Sequence, residues 1–252
     1  MVDRGTLIGQ LDEWLQPDLY RDYCPNGLQL DGKHQVGHVV TAVTASQHVI
    51  EHAVEAGADL LLVHHGWFWK NENPTITGIK YRRVRALMDA GISLVAYHLP
   101  LDCHPELGNN ACLARLMGWV VDGQVRAGGT EGLLWYGHLH APASLEQLCE
   151  GLERVLGRRP LPVSGHDRPI NTIAWCTGAA QGFIETAAAL GVDAYISGEI
   201  SEPTYHLARE LGIHYIAAGH HATERYGVQA LGAALEKQFG VTWQFVDEPN
   251  PV

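Results

Sequence analysis

The feature that most constrains the fold is an internal repeat. GHVVTAVTASQHVIEHAVEAGADLLLVHH, residues 37–65, lies beside NTIAWCTGAAQGFIETAAALGVDAYISGE, residues 171–199, without a gap, pairing Gln47 with Gln181 and Gly57-x-Asp59 with Gly191-x-Asp193. Further on, AGISLVAYHLPLD in the first copy corresponds to LGIHYIAAGHHATE in the second. Each copy reads strand, helix, strand, helix, strand, so the chain belongs to the α/β class as two similar lobes from an internal duplication. The expected domains are residues 1–125, carrying the HHG and HLPLD segments, and residues 126–252, carrying GHHATE.

The chemistry sits where apolar strands stop. Leu60–Val63 reads as a strand buried on both faces that ends at His64 and His65. Adjacent side chains of a strand point to opposite faces, so the two imidazoles converge only if the chain bends there, and Gly66 permits the bend. Open α/β sheets bind ligands beyond the carboxyl ends of their strands. An isolated histidine pair reads more readily as two hydrogen-bonded loop residues. Two further strand ends tip the balance: ISLVAY precedes His98 and Asp102, and HYIAA precedes His220, His221 and Glu224.

These donors are imidazoles and carboxylates without a thiolate, a set that suits zinc, manganese, iron, cobalt or nickel better than a structural thiolate site. His220 and Glu224 are four residues apart and share one face if a helix starts after Gly219. One catalytic ion takes about three protein ligands. The surplus here predicts two divalent metal ions at strand ends between the lobes, with Glu224 as the bridge and with His64 and His65 serving different ions.

Around these segments the sequence predicts a helix over Thr6–Leu15, a turn at Pro25-Asn26-Gly27 leading into a short strand, and a strand over His38–Thr44. Ser46 is the expected cap of the following helix, and Gly91 closes a basic helix from Lys80 to Ala90. Between the copies, Gly118–Asp167 reads as turns around one helix, Ser144–Leu156, opened by a Ser144 and Gln147 capping box. A last strand covers Val241–Val246.

With 252 residues, 46% of them apolar, the chain buries a sizeable core, and its net charge of −11 opposes coating a nucleic acid. The N-terminus resembles neither a signal nor a transit peptide, and no stretch is long and apolar enough to span a membrane. Five scattered cysteines without a CxxC pair point to a reduced, cytoplasmic protein.

VHHGWFWK, AYHLPLDCHPELGNN, AWCTG and AAGHHATE, with the early YCPNGLQLDG, resemble the Nif-three-like family, whose bacterial members are named GTP cyclohydrolase 1 type 2 homologues. The resemblance runs from about Tyr23 to the final NP. It implies metal ligands at His64, His65, Asp102, His220 and Glu224, two interlocked α/β lobes, and a ring-shaped homohexamer with dinuclear sites facing its cavity. It also implies a small-molecule substrate, a nucleotide such as GTP, opened by water at the imidazole ring of the purine.

His98 reads either as a proton-transfer residue beside the ligands or as a structural hydrogen-bonding group. Glu199, opposite His65 in the repeat, reads as a cavity-lining acid or as a helix-terminal one. His221 is expected to point away, His104 to shape its loop, and His138 and His140 to be surface or core residues. Trp67, Phe68 and Trp69 suit either a purine stack or a core. The run Lys80, Arg82, Arg83, Arg85 suits a solvated helix face or phosphate contacts. Cys103 lacks an activating neighbour. The functional readings that remain are a dinuclear metal-dependent hydrolase, a non-catalytic metal-binding, metal-delivery or regulatory oligomer, and metal-assisted oxidation.

Overall fold

A computed structural model describes residues 1–252. Its elements run β1 (Val2–Asp3), α1 (Arg4–Leu15), β2 (Gly27–Leu30), β3 (Gln35–Val36), β4 (His38–Thr44), α2 (Gln47–Glu55), β5 (Leu60–His65), α3 (Gly78–Ala90), β6 (Ser93–Ala96) and α4 (Leu99–Cys103). They continue with α5 (Asn109–Met117), β7 (Val120–Ala127), β8 (Thr130–Ala143), α6 (Leu145–Leu156), β9 (Leu161–Val163), β10 (Ile170–Cys176), α7 (Ile184–Ala189), β11 (Ala194–Ser197), α8 (Glu202–Leu211), β12 (His214–Ala217), α9 (His220–Phe239) and β13 (Thr242–Phe245).

The chain forms two compact units, Met1–Leu107 with Arg225–Pro249, and Gly108–Glu224 with Asn250–Val252. This division differs from the linear one expected at residue 125. The chain leaves the first unit before α5 and returns to it within α9.

The first unit holds a five-stranded sheet of order β13-β4-β5-β6-β2, in which β13, β4, β5 and β6 are parallel and β2 is antiparallel at the edge. Alternation along the strands splits its core into two layers. Val40, Ala42, Leu61, Val63, Leu94 and Ala96 face Val49, Ile50 and Ala53 of α2 and Val84 and Leu87 of α3. Val39, Leu60, Leu62 and Val95 face Leu7, Leu11 and Leu15 of α1 and Val228, Leu231 and Leu235 of α9. A sheet covered on both faces explains why β5 is an unbroken apolar run. Leu60, Leu61, Leu62 and Val63 are all fully buried.

The second unit holds a six-stranded sheet of order β7-β8-β10-β11-β12-β9, with β10, β11 and β12 parallel. The repeat is visible in atomic detail. Asp59 Oδ2 accepts from the amides of Gly37 and His38 at 2.9 and 3.1 Å, and its aligned partner Asp193 accepts from Asn171 and Thr172 at 2.9 and 3.0 Å. Each acid satisfies the amides where the first strand of its copy opens. Ser46 caps α2 through the Val49 amide at 3.1 Å, and Ser144 with Gln147 forms the expected capping box.

The region between the copies is richer than turns around one helix. Thr130–Ala143 is a fourteen-residue strand, and it pairs with Val120–Ala127 across a Gly128-Gly129 turn in which both glycines have positive φ. Two successive left-handed residues match the twist of a two-residue hairpin. Four of the eight β7 residues and four of the fourteen β8 residues are exposed, and the one buried run, Leu133 to Trp135, is too short to announce a fourteen-residue strand. No helix is long and apolar enough to cross a membrane.

Candidate metal centre

In the first unit, the parallel register sets Thr44 beside His65 and Val63 beside Ala96, so the carboxyl ends of β4, β5 and β6 lie level. His64, His65 and His98 follow from that edge. Their ligand nitrogens all lie within 4.8 Å of one another. The rings of His64 and His65 are 4.6 Å apart and those of His64 and His98 are 5.1 Å apart. The two adjacent imidazoles therefore converge at this edge, as the bend at Gly66 allows.

Gly66 is needed at this bend for space rather than for an unusual φ. A Cβ there would come within 2.3 Å of Gln29 Oε1 and 2.7 Å of the Ala96 Cβ. Gln29 Oε1 is occupied by the Trp67 amide at 2.7 Å.

Each imidazole is fixed through Nδ1. His64 is fully buried, and its Nδ1 lies 2.9 Å from the Tyr97 carbonyl oxygen. A carbonyl only accepts, so Nδ1 carries the hydrogen and Nε2 keeps its lone pair. That Nε2 faces Asp102 Oδ1 at 3.5 Å, on the first turn of α4. His65 Nδ1 meets Thr44 Oγ1 at 3.2 Å. His98 Nδ1 donates to Asp22 Oδ1 at 2.7 Å. Anchoring one ring nitrogen on oxygen while presenting the other is the arrangement of metal-ligating histidines.

Asp22 is a residue that sequence reasoning missed. Burial raises the pKa of its carboxyl, but hydrogen bonds from His98, Asn26 and the Tyr23 amide outweigh burial and bring it below the ordinary value. Its only signal in the sequence is its place one turn before Pro25-Asn26-Gly27.

In the second unit, β12 leads through Gly219 into α9, whose first residue is His220, as the four-residue spacing to Glu224 requires. His220 Nδ1 lies 2.6 Å from Glu199 Oε1, and its Nε2 lies 3.1 Å from Glu224 Oε2. Of the two readings for Glu199, the structure therefore shows an acid that holds His220. Burial lowers the pKa of His220, yet hydrogen bonding and charge from Glu224 and then Glu199 raise it to about 9.

The Glu224 carboxylate rests against Gly178, which follows β10 at φ +72°; a Cβ there would lie 2.1 Å from Glu224 Oε1. Thr223 Oγ1 accepts from the Gly178 amide at 3.1 Å, which ties this turn to the start of α9.

The donor sets of both units fit a divalent cation. Neutral imidazole nitrogens and buried carboxylates, each oriented by an outer partner, match the chemistry of a borderline ion. A proton on His220 does in part what a cation would do between the same carboxylates.

The other residues singled out from the sequence have definite partners. The Trp67 indole donates to the Ala45 carbonyl at 3.1 Å inside the core, and Trp69 stands edge-on to His98 with ring centroids 5.0 Å apart. Lys80 pairs with Glu72 and Arg85 with Asp89. His104 Nδ1 accepts from the Glu106 and Leu107 amides, shaping its loop. His138 pairs with Asp122 on the β7–β8 hairpin. All five cysteines are free and buried, and burial with the Asp102 charge raises the pKa of the Cys103 thiol.

Residues 2–251 match the family model described as Duf34/NIF3 (NGG1p interacting factor 3). A Pseudomonas aeruginosa protein named GTP cyclohydrolase 1 type 2 homolog is 53% identical over 247 residues, covering 98% of both chains. The Escherichia coli protein of the same name is 48% identical, covering 98% of this chain and 99% of its own. Among solved structures, one titled "protein ybgI, unknown function" superposes with a TM-score of 0.96 at 46% identity over the whole of both chains. A Methanocaldococcus jannaschii structure, reduced HcgD, gives 0.85 at 25% identity over 98% of each.

Proposed function

This chain belongs to the Duf34/NIF3 family, and from that premise we propose that it is a dinuclear metal-dependent hydrolase acting on a purine nucleotide. The observation that carries the proposal is that His64, His65 and His220 are each held at Nδ1 by an oxygen, while Nε2 of His64 faces Asp102 at 3.5 Å and Nε2 of His220 faces Glu224 at 3.1 Å. His64, His65, Asp102, His220 and Glu224 would hold the two divalent ions. Bound divalent ions lower the pKa of water toward neutrality and polarise the bond under attack.

The chain's own residues orient that chemistry. The Tyr97 carbonyl holds His64 in one tautomer, Glu199 holds His220, and Thr44 sets the ring of His65. The name shared by the relatives directs the choice of substrate to GTP, with water adding to the imidazole ring of the purine. A ring-shaped homohexamer with its sites facing an inner cavity belongs to the same proposal.

The test is metal analysis of protein purified without added metal, together with a hydrolase screen that includes GTP. The screen compares the wild type with His64→Ala and Glu224→Gln. Metal content and turnover are expected to fall together. Full turnover in a variant stripped of metal refutes the mechanism. Metal-dependent stability without any turnover would instead assign the site to metal storage, delivery or regulation.

A further inference from the structure

Resting on the hydrolase reading, we propose that Asp22 is a positioning residue that makes His98 the proton-transfer group of the site. His98 Nδ1 lies 2.7 Å from Asp22 Oδ1, and the Asp22 carboxylate is itself fixed on every side. Its Oδ1 also accepts from the Tyr23 amide at 2.6 Å, and its Oδ2 accepts from Asn26 Nδ2 and the Leu99 amide, both at 2.9 Å. The loop closes from the other side as well, because the His98 amide donates to Asn26 Oδ1 at 2.8 Å. A side chain that receives four hydrogen bonds and is only 3% exposed cannot swing away from the imidazole.

The consequence lies at the far nitrogen. With its hydrogen held on Nδ1, His98 keeps its lone pair on Nε2, and its ring stands among those of His64 and His65, with centroids 5.1 and 5.7 Å away. Trp69 and Tyr23 flank the ring edge-on, with centroids 5.0 and 6.3 Å from it, and fix its plane.

The repeat sharpens the assignment. His98 and Asp102 are spaced like His220 and Glu224, and each histidine is anchored at Nδ1 by a carboxylate, Asp22 or Glu199. The acids come from different places: Glu199 follows β11 within the repeat, whereas Asp22 lies in a loop before it.

In the step assigned to the pair, His98 Nε2 takes a proton from the attacking water as its oxygen bonds to the substrate. The imidazolium keeps its Nδ1 hydrogen against the negative charge of Asp22 and returns the Nε2 proton to the leaving group. No net charge is gained by the protein over the cycle.

The test uses the full chain with Asp22→Asn, His98→Gln and the double variant, and it has two readouts. The first is nitrogen-15 NMR of labelled histidine in the metal-free protein. It is expected to show His98 as the Nδ1-protonated tautomer in wild type and as a tautomer mixture in Asp22→Asn, while His64 stays unchanged. This readout does not depend on turnover, so it stands if the hydrolase reading fails. The second is steady-state kinetics, where Asp22→Asn is expected to lower kcat about 10- to 100-fold with KM and metal content preserved. Adding Asp22→Asn to His98→Gln is expected to have no further effect. A wild-type His98 protonated at Nε2, or losses that multiply in the double variant, overturns the proposal. Asp22→Glu, which retains the charge, is expected to recover part of kcat and separates positioning from misfolding.

Discussion

Gly178→Ala should disturb the His220 and Glu224 donor pair of the proposed metal site without replacing either residue. Two costs are separable. Gly178 has φ +72°, and a residue with a Cβ pays about 1–2 kcal/mol in the left-handed region. The second cost is specific to this position, because the new Cβ would sit 2.1 Å from Glu224 Oε1 and 3.3 Å from His220 Nε2. Ordinary carbon contacts lie near 3.5–4.0 Å, so the carboxylate must retreat by roughly 1 Å or more. A displacement of about 1 Å in a preorganised site costs on the order of 100-fold in function.

Gly191 supplies the control. It has φ +74°, yet a Cβ there would meet nothing within 4 Å, so Gly191→Ala carries the backbone cost alone. Chemical denaturation of the metal-free proteins and metal titration by calorimetry measure the two costs separately. Gly191→Ala is expected to lose about 1–2 kcal/mol of stability, and Gly178→Ala more than that. Only Gly178→Ala should also lose about 100-fold in metal affinity. Equal metal affinity in the two variants would refute the argument that Glu224 holds the cation against Gly178.

Metal uptake should release a proton from His220. Its pKa of about 9 in the metal-free protein means that it is charged at pH 7, and a ligating nitrogen must be neutral. Calorimetry in buffers of different ionisation enthalpy should count that proton, with affinity rising as pH increases toward 9; a pH-independent affinity would contradict it. The same raised pKa stabilises the metal-free protein fully below about pH 6.5, the ordinary histidine value, and this contribution fades as pH rises through about 9. Glu199→Gln should shrink that alkaline loss in pH-dependent denaturation. Asp59 and Asp193 work in the opposite direction. Burial raises their pKa values, but Lys33 with two amides at Asp59, and the Asn171 and Thr172 groups at Asp193, lower them further than burial raises them. Their stabilisation is present above about pH 4 and is lost as pH falls through their depressed values, so Asp59→Asn and Asp193→Asn should flatten the acid limb of the stability curve. An unchanged limb would show that these hydrogen bonds add nothing.

Much of this molecule was legible because its duplicated halves obey simple periodicities. The apolar run of β5, the four-residue spacing of His220 and Glu224, the Ser46 and Ser144 caps and the aligned Asp59 and Asp193 are local patterns with local causes. What escaped has nonlocal causes. The β7–β8 hairpin has one short buried run, Leu133 to Trp135, among exposed and half-buried positions, which resembles loop sequence until the pairing is known. Asp22 is one acid among many until the fold brings it to His98. The return of the chain to the first unit at Arg225 is likewise invisible, because α9 is a single uninterrupted helix across that boundary.

The duplication also explains why the two halves hold their histidines differently. At the end of the first strand of each copy, Thr44 aligns with Gly178, and at the end of the second, His65 aligns with Glu199. In the first copy the Thr44 hydroxyl meets His65 at 3.2 Å, so a side chain at that strand end serves a histidine donor. In the second copy the glycine leaves room for the Glu224 carboxylate, and the aligned acid anchors His220 at 2.6 Å. One backbone framework therefore carries a histidine-rich set in the first copy and a carboxylate-rich set in the second. If that divergence sets function, exchanging the pairs should not be neutral. A chain with Thr44→Gly and His65→Glu should keep its fold, because both positions close strands whose cores are intact, yet it should lose metal from the first unit. Retention of wild-type metal content by that chain would show that the two strand ends are interchangeable and that the asymmetry carries no chemistry.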